Sequence, residues 1–302
     1  MTDREIQAFI DHLEHERRYS VHTIKAYKAD LEDYKAHIRH TYGELKLHDH
    51  NTAIIRSWLS KLLAEGHKAR TVSRKISSLK SFFKYCLHKG FLKTNPTLKL
   101  PAVKIPQRLP VFVQESDMQR LFTDIEFEDN YAGVRDYTLL NLLYGSGIRV
   151  SELVNLTVDD INSHDSSLKV LGKRNKERII PVNRQLNEIL SVYLKYRKEF
   201  KQEHRINIQK DWLFLSGRGN KTYPKLIYAI VKSYLEQVTT IDKKSPHVIR
   251  HTYATHLLSH GADLNAIKEL LGHSNLAATQ VYTHSTIDQL KAIYEQAHPK
   301  GK

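Results

Sequence analysis

Cysteine is almost absent from this chain of 302 residues, and its one thiol belongs to Cys86. A lone cysteine cannot form an internal disulfide, and the apolar residues around it predict a buried structural thiol. A single unpaired cysteine suits a reducing cytoplasm. The chain also lacks an apolar run of membrane-spanning length, and its polar start has no signal-peptide pattern. We therefore expect a cytoplasmic location and no membrane partner.

Glycine and proline are scarce, at 12 and 8 residues, and apolar residues make up 40% of the chain, which excludes a disordered protein. The length favours two domains. Four of the eight prolines stand at 96, 101, 106 and 110, where they remove backbone donors and disfavour helix. We predict an extended stretch over 95–110. The expected organisation is a helical domain over 1–96, a linker over 97–110 and a second domain over 111–302.

Acidic residues are outnumbered: 33 Asp and Glu stand against 47 Lys and Arg, and the pI is near 9.6. Basic chains often bind nucleic acid, with anionic membranes and ribosomal contacts as rival partners. Residues 61–100 hold ten basic residues and one acidic residue, whereas 1–60 are close to neutral. Such a concentration of one sign favours a nucleic-acid face in this stretch.

Helical periodicity dominates the first hundred residues. Ser20 is a good N-cap for a helix over 21–37, and a second helix over 71–89 has an apolar stripe that can pack. Its remaining faces carry basic and small polar side chains, which can contact phosphates. The predicted nucleic-acid contacts are Arg70, Arg74, Lys75 and Lys80.

The second part of the chain is predicted to be mainly helical, with a β-hairpin. A helix over 136–143 ends in a glycine-rich turn, a short helix follows over 150–156, and β-rich runs at 167–171 and 178–182 flank a turn. A later helix over 263–271 has Asp263 as its cap and stops at Gly272. The fold class is therefore mainly α with a small β-sheet or hairpin in the second domain.

The Ser-Pro pair at 245–246 marks a helix start, with serine as N-cap and proline at the first position. His247 and Arg250 then share one face near the positive end of the helix, which suits an anion such as phosphate. A solvated helix start is the structural alternative. His251 has a metal-ligand spacing with His247, but Val248 stands where the zinc-protease pattern needs Glu. A zinc site is therefore the weaker alternative.

Other polar residues have an ordinary structural explanation when each is taken alone. Arg149 and Glu152 can form a surface ion pair of little energetic value. Lys173 stands at a predicted hairpin tip and His273 just past a predicted helix end. Tyr282 is one of sixteen tyrosines, so spacing alone does not select it as a nucleophile.

Together and in chain order, these residues resemble the signature of the tyrosine recombinases, the phage-integrase family. The similarity lies in Gly147-Ile-Arg149-Val-Ser-Glu152-Leu, Gly172-Lys173, His247-Val-Ile-Arg250-His251, Leu271-Gly272-His273 and Tyr282. Order and spacing agree, and the resemblance covers nearly the whole chain. Within the family the chain is similar to the bacterial XerC/XerD type, through stretches such as Leu142-Leu-Tyr-Gly-Ser-Gly-Ile and Tyr294-Glu-Gln-Ala-His-Pro.

The resemblance implies covalent catalysis by Tyr282. Its oxygen would attack a DNA phosphate, giving a 3′-phosphotyrosyl link and a free 5′-hydroxyl. A 5′-hydroxyl from the partner duplex would then attack the link and reseal the exchanged strand. Because the phosphotyrosine conserves the bond energy, no ATP is expected. Arginines can replace divalent metals in stabilising phosphate charge, so no metal cofactor is expected either.

The resemblance also implies the other catalytic positions, which are Arg149, Lys173, His247, Arg250 and His273, with Glu152 and His251 beside them. The two arginines would stabilise the transition state. A tyrosine has a pKa of about 10, so its proton must leave during attack, and His247 is the candidate base. Lys173 would protonate the leaving 5′-oxygen, His273 would donate to the phosphate, and Glu152 would orient Arg149. How the three histidines divide these tasks stays open.

The implied partner is double-stranded DNA, held in a C-shaped clamp between a SAM-like core-binding N-terminal domain and the catalytic domain. Four protomers would assemble on two duplexes, with the segment 287–298 packing on a neighbour. The XerC/XerD type resolves chromosome dimers at a dif-like site during chromosome segregation and cell division. A second Xer-type recombinase and an activating DNA translocase are possible further partners.

Alternative functions stay open at this point. An integrase of a mobile element or phage would use the same chemistry at different sites. A type IB topoisomerase would use similar chemistry without pairing two DNA sites. A DNA-binding architectural protein would keep all of its activity after the substitution Tyr282→Phe.

Overall fold

The computed structural model describes residues 1–101, 103, 111–172 and 177–272. The chain divides into two compact units, Met1–Arg108 and Leu109–Lys302. Each unit has its own hydrophobic core. Across the described ranges, no helix is long and apolar enough to cross a membrane.

The described part of the first unit is built from helices. They are α1 (Asp3–Asp11), which continues as a π-helical turn (His12–Glu16), α2 (Val21–Tyr42), a 3-10 turn (Leu47–Asp49), α3 (Thr52–Ala64) and α4 (Ala69–His88). The side chains of Thr2, Ser20 and Asn51 accept hydrogen bonds from first-turn amides and so fix where α1, α2 and α3 begin. The predicted cap at Ser20 is confirmed, although α2 runs past the predicted end at 37.

The core of the first unit is aromatic. Tyr34, Trp58, Phe82 and Phe83 are fully buried, and the two phenylalanine rings meet edge-on with centroids 5.4 Å apart. Burying one such phenylalanine contributes about 1.5–3 kcal/mol. Cys86 lies in the same core, where burial raises the pKa of its thiol to about 12. It is the buried structural thiol that the sequence predicts.

The beginning of the proline-rich stretch is turned and packed rather than extended. The side-chain oxygen of Asn95 accepts hydrogen bonds from the amide and the hydroxyl of Thr97, at 2.9 and 2.7 Å. Residues 96–99 form turns, and Leu100 is buried in the first core. The prediction of extended backbone is wrong here, because the asparagine side chain stabilises a turn. Residues 102 and 104–110 of the predicted linker lie outside the described residues.

The described part of the second unit combines helices with one small antiparallel sheet. The helices are α5 (Glu115–Thr123), α6 (Tyr131–Ser146), α7 (Val150–Leu153), α8 (Arg184–Glu203), α9 (Pro224–Val238), α10 (Pro246–Ser259) and α11 (Leu264–Leu271), and a 3-10 turn covers Val158–Asp160. The strands are β1 (Ile161–Asn162), β2 (Ser167–Leu171) and β3 (Glu177–Pro181), in that order across the sheet. Strands β2 and β3 confirm the predicted hairpin, whereas the two-residue β1 is too short to be predicted. The fold class, mainly α with a small sheet, is confirmed.

Helix α6 is the centre of the second unit. Every residue over 138–146 is buried, and the helix packs against α8 and α10. It ends at Gly147, whose φ of 57° lies in the left-handed region. A Cβ at this position would come within 2.5 Å of the ring of Tyr253, so only glycine fits. This turn directs the chain into α7, where the predicted site begins.

Candidate active site

The site is organised around one buried carboxylate, that of Glu152 on α7. Arg149 precedes this short helix and donates to Glu152 twice, from its backbone amide to Oε2 (2.9 Å) and from its guanidinium to Oε1 (2.8 Å). The Arg149 side chain is 30% exposed, whereas that of Glu152 is 4% exposed. The predicted pair is therefore not a surface ion pair: the acid is internal, and the arginine reaches toward solvent.

Arg178 on β3 completes the carboxylate's environment, and the sequence analysis missed it. Its two terminal nitrogens donate to Glu152 Oε1 and Oε2 at 2.8 and 2.7 Å. Burial acts to raise the pKa of Glu152, but the hydrogen bonds and charge of Arg178, joined by Arg149, outweigh it and hold that pKa below its usual value. The alternation of β3 is the signal that identifies Arg178, because it shares the inward face with Ile180.

The C-terminal end of α11 binds three arginines through its last carbonyls. Arg178 Nε donates to Leu270 O (3.3 Å), an Arg250 terminal nitrogen to Leu271 O (2.6 Å), and an Arg149 terminal nitrogen to Gly272 O (2.9 Å). Helix ends leave such carbonyls unpaired and slightly negative, so cations stabilise them. The predicted cap at Asp263 and stop at Gly272 are confirmed, with Gly272 at a φ of 62°.

Arg250 lies on α10 and is also buried. Its second terminal nitrogen donates to the carbonyl of Gly147, so the left-handed turn after α6 supplies an acceptor as well as a change of direction. Burial, with the nearby charge of Arg149 next, lowers the pKa of Arg250 to about 10. At neutral pH this guanidinium still carries its charge.

His247 stands at the start of α10, after Ser245 and Pro246 as predicted, and its side chain is exposed. Its ring contacts that of Tyr228 edge-on, with centroids 6.2 Å apart. Loss of surrounding water lowers the pKa of His247, and the charges of nearby cations lower it further. Those cations are Lys243, Arg250 and Arg149. His247 is therefore neutral at pH 7 and can accept a proton.

His251, one turn further along α10, is half-buried. Within the described residues, no three His, Cys, Asp or Glu side chains are grouped so as to hold a metal ion. Lys173, His273 and Tyr282 lie outside the described residues.

The arrangement suits an anion with several oxygens. Arg149 and Arg178 pair with Glu152, and Arg250 binds the same end of α11, so the described residues of the site carry more positive than negative charge. Arg149 is the most exposed of the three arginines, and His247 lies three residues before Arg250 on α10. Guanidiniums bind phosphate oxygens with two donors each, so the site fits a phosphate beside a neutral base.

The four predicted DNA contacts of the first unit differ in their surroundings. Arg70 and Lys80 are exposed on α4. Arg74 is half-exposed and ion-pairs with the buried carboxylate of Asp30. Lys75 is only 7% exposed and pairs with Asp33, so its charge is directed into the first unit.

The chain belongs to the phage integrase family. The family model for the catalytic part matches residues 112–289, and the model for the N-terminal SAM-like domain of phage integrases matches residues 6–90. The chain is 37% identical to the tyrosine recombinase XerC of Thermodesulfovibrio yellowstonii over 98% of this chain and 97% of the relative. It is 38% identical to the XerC of Staphylococcus carnosus over the same shares. The enzyme is thus a site-specific tyrosine recombinase, as its signature residues predict.

Solved structures share the fold. An integrase of transposon Tn1549, in complex with transposon right end DNA, matches with a TM-score of 0.73 and 19% identity, over 94% of this chain and 97% of that one. The XerH recombinase bound to a palindromic difH substrate matches with a TM-score of 0.70 and 18% identity, over 94% and 79%.

Proposed function

We propose that this recombinase binds double-stranded DNA at a dif-like site and resolves chromosome dimers there during segregation, acting in the cytoplasm. The observation that carries the chemistry is the pairing of Arg149 and Arg178 with Glu152, with Arg250 bound to the same end of α11 and the base His247 on the helix that carries Arg250. The assignment to chromosome resolution is supported by full-length relatives named XerC.

Tyr282 is the proposed nucleophile. Its oxygen attacks the scissile phosphorus and forms a 3′-phosphotyrosyl bond, while the bond from phosphorus to the 5′-oxygen breaks. His247 takes the phenolic proton, and Lys173 supplies a proton to the leaving 5′-oxygen. The reverse attack by a 5′-hydroxyl of the partner duplex restores a phosphodiester and releases Tyr282.

Arg149 and Arg250 stabilise the charge that builds on the non-bridging oxygens. His273 donates a further hydrogen bond to the phosphate, Glu152 orients Arg149, and His251 supports the base. Because guanidiniums supply the positive charge, we propose that neither a metal ion nor ATP takes part.

Residues 1–96, which lie within the first unit, form the proposed core-binding domain, and residues 111–302 form the proposed catalytic domain. In the core-binding domain, Arg70 and Lys80 are the proposed phosphate contacts, with Arg74 beside them. The internal pairing of Lys75 favours a structural role for that residue. The proposed assembly has four protomers on two duplexes, with a second Xer-type recombinase as partner and a DNA translocase as activator.

A suicide-substrate assay tests the proposal. The protein is incubated in EDTA, without nucleotide, with nicked duplexes that carry a pool of dif-like and mobile-element sites. Denaturing gels then detect a covalent protein–DNA adduct. We expect an adduct on a dif-like site that is lost in Tyr282→Phe and kept in Tyr223→Phe, a matched control at an exposed tyrosine of the described region.

Other outcomes are equally informative. An adduct that survives in Tyr282→Phe would mean that another residue is the nucleophile. An adduct restricted to mobile-element sites would replace chromosome resolution by integration. Tight binding without any adduct, even with partner recombinase added, would favour a non-catalytic DNA-binding protein.

A further inference from the structure

Arg178 is a charged residue on the inward face of a strand. It stands opposite Val170 in the β2–β3 ladder and is only 7% exposed. A buried guanidinium destabilises the fold unless its donors are paired. The partners of Arg178 therefore explain why this position carries an arginine.

Its donors connect three separate elements. Two nitrogens bind both oxygens of Glu152 on α7, at 2.8 and 2.7 Å, and Nε donates to Leu270 O at the end of α11. Arg178 itself lies on β3, so one side chain joins a strand, a helix start and a helix end. A lysine, with a compact point charge, cannot reproduce this planar set of donors.

The two oxygens of Glu152 also accept hydrogen bonds from Arg149. Oε1 accepts from the guanidiniums of both Arg178 and Arg149, and Oε2 accepts from Arg178 and from the Arg149 amide. The carboxylate must itself be fixed in order to hold Arg149 in a single orientation. Arg178 supplies that constraint from the side opposite to solvent.

We propose that Arg178 is a positioning residue for strand cleavage, which aims Arg149 by fixing Glu152 and the end of α11. The inference rests on the proposed function. In the sequence, β3 follows the segment that contains Lys173, and α11 ends two residues before His273. Arg178 therefore lies on the strand that follows the Lys173 segment and binds the helix end that precedes His273. It also fixes the Arg149–Glu152 pair.

The test compares Arg178→Lys with wild type in single-turnover adduct formation at saturating suicide duplex. Because Arg149 is left misaligned, we expect cleavage to slow about 10- to 100-fold while DNA affinity, measured by fluorescence anisotropy, changes less than about threefold. Arg178→Gln, which keeps amide donors and removes the charge, is the second variant should the lysine variant fold poorly.

Arg197→Lys is the matched control. Arg197 is 4% exposed, donates to the carboxylate of Asp211 and to the carbonyls of Trp212 and Leu213, and lies on α8 outside the site. We expect it to lower the melting temperature to a similar degree and to leave the cleavage rate of the folded protein unchanged.

A double-mutant cycle with Glu152→Gln tests the route of action. If Arg178 acts through Glu152, the double variant will cleave no more slowly than the slower single variant. Multiplied losses would overturn that route. An unchanged rate in the Arg178 variants, or a loss matched by Arg197→Lys at equal stability, would overturn the positioning role. Failure of wild type to form any adduct would instead overturn the proposed function.

Discussion

Each unit buries a carboxylate among cations, and the two clusters differ in their balance of charge. In the first unit, Asp30 is 1% exposed and accepts from Arg74 and from the hydroxyl of Ser78 (2.7 Å), while Lys75 pairs with Asp33. Two carboxylates thus meet two cations. In the second unit, two arginines pair with the carboxylate of Glu152, and a third, Arg250, binds the same end of α11.

The difference separates a structural role from a functional one. Balanced buried pairs satisfy each other and leave little attraction for an outside ligand. In the second unit, helix-end carbonyls satisfy the donors without cancelling their charge, because a carbonyl is only a dipole. Among the described residues of this cluster, positive charge therefore exceeds negative charge, and this surplus suits a phosphate.

Arg149→Ala is expected to have the largest effect. It removes the most accessible guanidinium of the surplus, so we expect adduct formation at saturating DNA to fall about 10³-fold. The measurement is the single-turnover rate on the suicide duplex, with DNA affinity as the control. A loss confined to affinity would mean that Arg149 binds the substrate and its transition state equally well.

Asp30→Ala should break the balanced cluster. Asp30 also lies 3.6 Å from the ammonium of the buried Lys75, so its removal leaves Lys75 with a weaker set of partners, and we expect the first unit to lose about 3–5 kcal/mol of stability. Urea unfolding can be followed by the fluorescence of Trp58, which lies under Lys75, in a Trp212→Phe background. The control is Asp33→Ala, whose carboxylate is 46% exposed and whose loss should cost about 1 kcal/mol or less. Equal losses in the two variants would refute the importance of the buried acid.

Desolvation and nearby cations should also set the pH dependence of cleavage, through their effect on the pKa of His247. The lowered pKa of His247 keeps the base neutral down to pH values below its ordinary 6.5, so the rate should be flat near pH 7. It should fall about tenfold per pH unit once the pH drops below that lowered pKa. Lys243→Gln removes one of the charges responsible and should shift this fall toward higher pH. An unshifted profile would mean that another group limits the rate.

The exposed cations of α4 should have the smallest effect. Arg70→Ala and Lys80→Ala are each expected to weaken DNA binding a few-fold and to reduce the slope of log affinity against log salt by about 0.9. Lys61→Ala, on the neighbouring helix α3 and paired with Glu65, is the control and should leave the slope unchanged. A reduced slope in the control would assign the DNA-binding face to α3 as well.

Much of the site could be predicted because its signals are local. Ser245 and Pro246 begin α10, and Asp263 and Gly272 bound α11, since caps and stops depend on residues within one turn. The hairpin followed from strand-forming runs on both sides of a turn. These signals placed His247, Arg250 and the end of α11 correctly on their elements.

The two buried cations show where local reasoning failed. Lys75 shares a helical stripe with Leu79, Phe82 and Cys86, and Arg178 shares a strand face with Ile180. Both patterns were visible, but a charged residue on an inward face is buried only when the fold brings it a partner. Those partners lie 42 residues away for Lys75 and 26 for Arg178.

Composition and neighbours along the chain are enough to predict the helices, the hairpin, the excess of positive charge and the order of the recombinase signature. Contacts between distant segments, in contrast, make Glu152 internal, bind it to Arg178 and bring three arginines to the carbonyls that end α11. The cause is desolvation, because a buried charge is stable only where distant segments supply its partners, and no local pattern specifies those contacts.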